Sequence, residues 1–537
     1  MPAIRSNVIV ESDDFRANRA AHLKLIAEFR ALEAKVREAS GRADAKFRAR
    51  GQLPPRERVN LLLDRDSPFL ELSSLAGLGM HEDDGVENVF GGGSIVGIGT
   101  ISGARCMIAA NDSGIKGGAA HPMGVEKAIR AQEVALAEKL PYVQLVESAG
   151  ANLLLQAEMF VRGGAIFANM ARLSAAGIPV VSIVHGSSTA GGAYQTGLAD
   201  YVVMVHGRSK VFLAGSPLLK AATGEIAGDE QLGGAELHCA TTGLGEYLAE
   251  DDADALRIGR ELLPRLGWAA QDPTHPPAAP PLYDPEELLG VVPVDYRKPY
   301  DVREVIARIV DGSEFLDFKP AFGAATVCGQ GAIEGHPVGL IGNNGPIDSA
   351  GASKAGQFIQ LCCQSGLPIV FLQNTTGYLV GVEAETSGIV KHGSKMIQAV
   401  TNATVPKLTL QIGGSFGAGH YGMCGRSFGP RFLFSWPNAR VAVMGGEQAA
   451  RVMAIIAEEG ARTRGALFDE AKASAQAARI LAAYEHESTA LFATARLWDD
   501  GLIEPRDSRA TLAFCLEVCA EAEARALRPN TFGVARF

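Results

Sequence analysis

Gly186-Ser187-Ser188-Thr189-Ala190-Gly191-Gly192-Ala193-Tyr194 and Gly413-Gly414-Ser415-Phe416-Gly417-Ala418-Gly419-His420-Tyr421 are two versions of one glycine-rich stretch. They stand 227 positions apart (413 − 186 = 227), and the same offset relates Gly192 to Gly419, Pro179 to Pro406 and Pro141 to Pro368. A domain used twice accounts for a constant offset over so long a span. Each stretch follows a buried apolar strand, Ile178-Pro179-Val180-Val181 in one half and Val405-Pro406-Lys407-Leu408 in the other. Small residues there let the backbone approach a ligand and turn its N–H groups toward it, which makes an oxyanion site without side chains. Two such sites point to two anions or two carbonyl oxygens handled in one reaction.

A chain of 537 residues with 47% hydrophobic content has room for two or three well-buried domains. The net charge of −10 and pI near 5.7 argue against a nucleic-acid or anionic-membrane partner, either of which would favour a basic face. The sequence from Met1 runs into charged residues with no apolar signal core. The longest uncharged run, Leu173 to Ala199, is broken by the polar Gly/Ser/Thr stretch, and the expectation is a cytoplasmic protein with no membrane partner. Eight cysteines form no Cys-x-x-Cys knuckle, so no metal site is expected and the thiols read as buried and reduced.

From Asp14 to Arg50, apolar residues recur at helical spacing among many charges, which predicts an amphipathic helical arm; a short helix is expected over Val59 to Leu63. Strand-like runs Ser94–Gly99, Arg105–Ala110, Val143–Val146 and Val180–Val184 alternate with helical segments, an α/β pattern. The proline-dense segment from Pro273 to Pro281 marks a linker, and the expected division is 1–272, a linker over 273–290, and 291–537. After the linker the pattern restarts. Gly103 is answered by Gly335 at an offset of 232 (335 − 103 = 232), so five residues changed before the register settled at 227.

Glu147-Ser148-Ala149-Gly150-Ala151-Asn152 and Asn374-Thr375-Thr376-Gly377-Tyr378 end strands, where ligands of α/β domains commonly bind. Neither offers a convincing nucleophile. Ser187 and Ser188 lack the Gly-x-Ser-x-Gly elbow, and no spacing pairs them with a particular histidine and acid. Asn111 to Gly118, with Lys116, is either a cradle for phosphate or CoA or a structural turn, and no Walker motif occurs.

Further stretches carry a resemblance: Val211-Phe212-Leu213-Ala214-Gly215, Lys220-Ala221-Ala222-Thr223-Gly224-Glu225, Leu232 to His238, Tyr421 to Arg426, Trp436 to Arg440, and Met444 to Ala450. With them the chain, from about residue 20 to 537, resembles the carboxyltransferase (β) subunit of biotin-dependent acyl-CoA carboxylases, in the crotonase superfamily. The resemblance implies two tandem crotonase-like domains of the ββα-spiral kind related by duplication, and a ligase-complex activity. It implies that Gly191 and Gly192 receive the thioester oxygen of acyl-CoA as it becomes an enolate, while the amides of Ala418 and Gly419 face the ureido oxygen of biotin. Gly150, Ala151, Ala193, Gly377 and Tyr378 would line the substrates. It further implies carboxybiotin carried by a biotin carboxylase/biotin carboxyl carrier α subunit, and a β6 core within an α6β6 assembly. A Met-Lys-Met attachment motif and an ATP-grasp signature do not occur in the sequence.

Within that family the wording is similar to the methylcrotonyl-CoA and geranyl-CoA branch. Methylcrotonyl-specific relatives carry a His-Phe-Gly-Arg-Ile-Phe pattern whose first phenylalanine closes the acyl pocket; aligning its last residue with Phe167 puts Gly163 at that place. The absent ring would admit a longer prenyl chain, which puts geranyl-CoA first and 3-methylcrotonyl-CoA second. Alternatively, Gly163 only caps a turn. Met170, Asn111–Gly114 and Ala119–Pro122 depart from the usual wording, which leaves the acyl chain open. Two rivals stand beside this reading: the α subunit of a CoA-linked decarboxylase, and a non-catalytic scaffold.

Overall fold

A computed structural model describes residues 2–80, 90–268, 277–465 and 467–534. The chain divides into two compact units. One comprises Ala31–Pro273, Ala495–Leu497 and Val518–Phe537; the other comprises Met1–Arg30, Thr274–Thr494 and Trp498–Glu517. The contiguous boundaries 1–272 and 291–537 therefore do not coincide with the compact units. The reason lies in side chains at the chain's beginning. Phe15 packs on Gly290, and His22 Nε2 lies 3.0 Å from the carbonyl of Val292. Of the expected linker, residues 273–276 lie outside the described residues, and by Leu288 and Leu289 the chain is fully buried again.

The expected helical arm forms α1 (Asp13–Gly41) and α2 (Asp44–Ala49); the short helix α3 (Pro55–Leu62) starts earlier than its apolar run because Pro55 is pre-set for a first helical turn. The first-half unit then carries β1 (Leu70–Glu71), β2 (Ser94–Ile101), β3 (Ala104–Asn111), α4 (Pro122–Ala137), β4 (Tyr142–Ser148), α5 (Gln156–Ala175), β5 (Val180–Thr189) and α6 (Gly191–Gly197). After these come β6 (Tyr201–Val205), β7 (Lys210–Phe212), α7 (Ser216–Thr223), α8 (Asp229–Gly233), α9 (Ala235–Leu237), β8 (Tyr247–Ala249) and α10 (Asp252–Arg265). Its sheet runs β1-β2-β3-β4-β5-β6-β8, with β7 paired to the end of β5. The β2–β3 hairpin is antiparallel and β3 to β6 are parallel. Strands buried on both faces are continuous branched apolar runs, here Val143, Leu145, Val181, Ile183 and Val203.

The second half opens with α11 (Leu288–Val291) and α12 (Val302–Ile306) and then repeats the order: β9 (Leu316–Asp317), β10 (Thr326–Ile333), β11 (His336–Asn343), α13 (Ser349–Ser365), β12 (Ile369–Thr375), α14 (Val382–Thr386), α15 (Ile389–Thr401), β13 (Lys407–Phe416) and α16 (Gly417–Gly422). It closes with β14 (Phe432–Ser435), β15 (Arg440–Ala442), α17 (Gly446–Thr463), α18 (Glu470–Glu487), α19 (Ala490–Ala495) and α20 (Ser508–Ala524). The sheet order is β14-β13-β12-β11-β10-β9, with β15 on the end of β13. Strands β4 and β5 map onto β12 and β13 end to end at the 227 offset, and β2 and β3 onto β10 and β11 at 232. The internal duplication is thus structural as well as sequential. Even one buried lysine is repeated. Lys127 Nζ donates to the carbonyls of Gly91 and Ser94, while Lys354 Nζ, 227 positions on, donates to those of Lys319, Phe322 and Gly323.

One expectation needs correcting. The glycine-rich stretches do not simply follow the strands but begin inside them, since β5 continues to Thr189 and β13 to Phe416. Each strand pairs with a main-sheet neighbour through Val184 or Gln411 and then with a spur strand, Ser187–Thr189 with β7 and Gly414–Phe416 with β15. The glycines allow close approach at the change of partner. A Cβ on Gly186 would meet the Glu147 carboxyl at 2.7 Å, and one on Gly413 would meet Asn374 Cγ at 3.0 Å.

Candidate functional site

In the first half, β5 ends at Thr189 and the chain turns at Ala190 (φ 53°, ψ −122°) into α6. A positive φ at alanine is uncommon, and two hydrogen bonds hold it: Ala190 N–H donates to Phe212 O, and Ala190 O accepts from Ala193 N–H. Gly191 and Gly192 thereby open α6, where first-turn N–H groups have no partner inside the helix. Gly150 comes alongside from the end of β4. Its N–H donates to Ser148 Oγ at 3.1 Å, and its Cα faces Thr189 and Ala190. Ala151 follows, exposed, bridged to Ala120, while Ala193 is buried behind the turn.

On the other side, Phe167 of α5 reaches within 3.5 Å of where a Gly191 Cβ would stand and packs edge-on against Tyr194. Gly163 lies one turn earlier on the same face of α5, since residues four apart are stacked on a helix. A Cβ built there meets nothing within 4 Å. Gly163 is inside α5, so it caps no turn.

The second half reproduces this arrangement. Gly417 (φ 55°) turns the chain from β13 into α16, bringing Ala418 and Gly419 into the first turn. Gly377 N–H donates to Thr375 Oγ1 at 3.2 Å, as Gly150 does to Ser148. Here the fit is tighter: a Cβ on Gly419 would stand 2.7 Å from Gly377 Cα and 3.0 Å from Thr375 Cγ2. The Tyr378 ring is committed elsewhere, its hydroxyl donating to Gly393 O at 3.3 Å and its ring lying on Gly422. What Tyr378 offers at this place is backbone, and the bridge to Ile347 matches that of Ala151 to Ala120.

Sequence reasoning missed the charges beneath the first site. Arg58, 1% exposed, holds Glu147 at 2.6 Å and Asp252 at 3.5 Å, and His185 Nδ1 lies 2.9 Å from Asp252. Burial, seconded by the Arg58 charge, lowers the His185 pKa. Ser113 Oγ donates to Glu147 at 2.8 Å. Glu147 and Ser113 line a groove of about 350 Å³ together with Gly114, Gly117, Ala149, Lys46 and Arg50, and Arg58, Asp252 and His185 lie buried behind Glu147. The segment Asn111–Gly118, left open between a cradle and a turn, thus borders a groove with cations beside it. The signal available in the sequence was Arg58 in the Arg56-Glu57-Arg58 run, too common a pattern to single out.

Among the described residues, no three His, Cys, Asp or Glu side chains converge as a metal would require, and no helix is long and apolar enough to cross a membrane. Both sites are built from main-chain donors, with apolar side chains exposed around them. Leu153, Leu154, Phe160 and Val161 are exposed in the segment after Gly150 and Ala151, and Val380, Val382 and Val390 in the segment after Gly377 and Tyr378.

Comparison with known proteins is consistent along the whole chain. The family model for the carboxyl transferase domain matches residues 46–533. The crystal structure of the β subunit of P. aeruginosa geranyl-CoA carboxylase is similar at a TM-score of 0.94 and 57% identity, with 100% of each chain covered. A Mycobacterium tuberculosis protein named "Probable biotin-dependent acyl-coenzyme A carboxylase beta2 subunit" is 50% identical over 92% of both chains. The biotin-dependent 3-methylcrotonyl-coenzyme A carboxylase beta1 subunit of the same organism is 48% identical over 93% of this chain and 95% of its own.

Proposed function

The chain belongs to the carboxyl transferase domain family, and from that premise we propose that it moves CO2 from carboxybiotin to the γ carbon of a branched α,β-unsaturated acyl-CoA, geranyl-CoA in first place. The observation that carries the reaction type is the pair of equivalent backbone-donor sites, one at Gly191–Gly192 and one at Ala418–Gly419. The first holds the thioester oxygen and the second the ureido oxygen. Carboxybiotin supplies the CO2 and, once decarboxylated, the base that takes the acyl proton. The chain's own residues need only stabilise negative charge as it develops on two oxygens. Preformed amides in a water-poor cleft do this for a few kcal/mol each. This agrees with the lack of a Gly-x-Ser-x-Gly elbow around Ser187 and Ser188.

The substrate preference rests on Gly163, whose missing side chain leaves open space on the α5 face that continues to Phe167 and Gly191. The name of the 57% identical neighbour supports the same reading, and the name of the 48% identical relative supports 3-methylcrotonyl-CoA as the second. Gly150, Ala151, Ala193, Gly377 and the backbone of Tyr378 line the two substrates. The groove with Lys46 and Arg50 suits the phosphates of CoA.

In this reading the chain acts in the cytoplasm with a biotin carboxylase/biotin carboxyl carrier α subunit. It assembles as a β6 core within α6β6, which covers the apolar residues around both sites; a monomer in sedimentation at micromolar concentration would remove the assembly. The test of function is fixation of 14C-bicarbonate into acyl-CoA with ATP. The chain with its biotin-carrying partner should fix label only when geranyl-CoA or methylcrotonyl-CoA is present, and the chain alone should fix none. Label fixed by the chain alone, or none with the partner and either acyl-CoA, overturns it.

A further inference from the structure

The two halves differ beneath the donor helix. In the second half, Gln373 Nε2 donates to Met423 O at 2.7 Å and reaches His420 O at 3.5 Å. That settles which end of the amide accepts: Oε1 takes the Ser415 hydroxyl at 2.8 Å. A serine hydroxyl has one proton, now committed, so toward His420 Nδ1, 2.8 Å away, Ser415 Oγ acts as acceptor and the imidazole donates. Every link has one direction, and Gln373 and Ser415 are fully buried. Burial pushes the His420 pKa down to about 4, so the ring is neutral at pH 7. The ring in turn lies on Gly425, where any Cβ would collide with it.

In the first half the places of Gln373, Ser415 and His420 are taken by Val146, Ser188 and Ala193. Ser188 Oγ is buried with no hydrogen-bond partner, and α6 is tied instead by a different pair, Gln144 Nε2 and Ser182 Oγ, which both donate to Gln195 O at 3.2 Å. The duplication therefore provides an internal control. One copy forms the same strands and helix with a different tie, so the relay through His420 is particular to the second half.

We propose that Gln373, Ser415 and His420 form a one-way hydrogen-bond relay that fixes α16 and so aims the amides of Ala418 and Gly419, making His420 a positioning residue of the second-half site. This rests on the reading of that site as the one for biotin. His420 touches no reacting atom. It holds the donors still, so that they need not reorganise when charge develops.

The test uses the full chain with its biotin-carrying partner and separates hydrogen bonding from packing. His420→Leu keeps bulk without a donor. His420→Asn places an amide N–H where Nδ1 stands. His420→Leu should lower kcat by about tenfold or more, with KM for acyl-CoA unchanged. His420→Asn should restore kcat to within about threefold of the parent, and Ser188→Ala should match the parent. Equal losses for Leu and Asn would reduce His420 to packing and overturn the relay, as would full activity of His420→Leu.

Gly425→Ala supplies a second reading that survives a poorly folding single variant. It should be damaging in the parent, where the ring blocks the new methyl, and add no further loss beside His420→Ala, where none of the colliding ring atoms remains. Damage of equal size in both backgrounds overturns the proposal. Should the losses fall on KM for acyl-CoA while Asn still rescues, the relay stands and the assignment of biotin to this half fails.

Discussion

Gly419→Ala is expected to lower kcat by about two to three orders of magnitude, the usual cost of removing one oxyanion donor, while Gly192→Ala costs less than about tenfold. The two glycines are equivalent by duplication, and the same methyl is added to each. The difference is what the methyl meets. At Gly419 it falls 2.7 Å from Gly377 Cα, which is backbone and cannot swing aside, so α16 or the end of β12 must move and the donor amides move with it. At Gly192 it falls 3.3 Å from Ser188 Oγ and 3.5 Å from Ser148 Cβ, close but within reach of small adjustments. Steady-state kinetics on the assembled enzyme, with biotin-partner and acyl-CoA concentrations varied separately, reads both effects. Equal losses at the two positions would mean that the tighter packing in the second half is irrelevant to donor geometry.

The second large effect is expected at Gly163. Gly163→Phe should lower kcat/KM for geranyl-CoA by at least about a hundredfold through blockage of the channel, and leave methylcrotonyl-CoA within about fivefold. Helix stability does not oppose the change. Two consecutive glycines, Gly163 and Gly164, inside α5 each cost about 1 kcal/mol relative to alanine, so replacing one removes a penalty. A helix that only packed on its own domain would gain from losing both. The ratio of kcat/KM values is the right quantity, since it compares transition states of one chemistry on two acyl chains. Equal losses on both substrates, or none on geranyl-CoA, would show that Gly163 does not line the acyl channel and would move methylcrotonyl-CoA to first place.

Much of the architecture was legible because duplication prints itself as a constant offset. The pairs Pro141/Pro368 and Pro179/Pro406 mark the residues just before β4, β12, β5 and β13, and the strand boundaries follow at the same spacing. Branched apolar runs gave the buried parallel strands for the physical reason that both faces are covered. The glycine stretches were harder. Glycine and serine suggest a loop by local preference, and only the partner strands β7 and β15, more than twenty residues further on, make Ser187–Thr189 and Gly414–Phe416 extended.

At the site, Gly191, Gly192, Ala418 and Gly419 could be placed from the turn they open, and Gly150 and Gly377 from the strand ends beside it. Tyr378 was legible as a position but not as a side chain, because the partner of its hydroxyl, Gly393, is set by tertiary packing. The relay through His420 and the ion pairs of Arg58 were invisible for the same reason. The links from Gln373 to Ser415 and from Arg58 to Glu147 join residues dozens of positions apart, with no periodicity to announce them.

The repeated lysine pair has a meaning for heredity. Lys127 and Lys354 are kept at the 227 offset although neither lies at a donor turn, and each ties down the approach to an equivalent hairpin, β2–β3 in one copy and β10–β11 in the other. A constraint shared by both copies, whatever each copy binds, belongs to the making of the domain. Loss of either lysine leaves two or three carbonyls without their cation. A gene carrying that lesion would leave the cell short of folded protein.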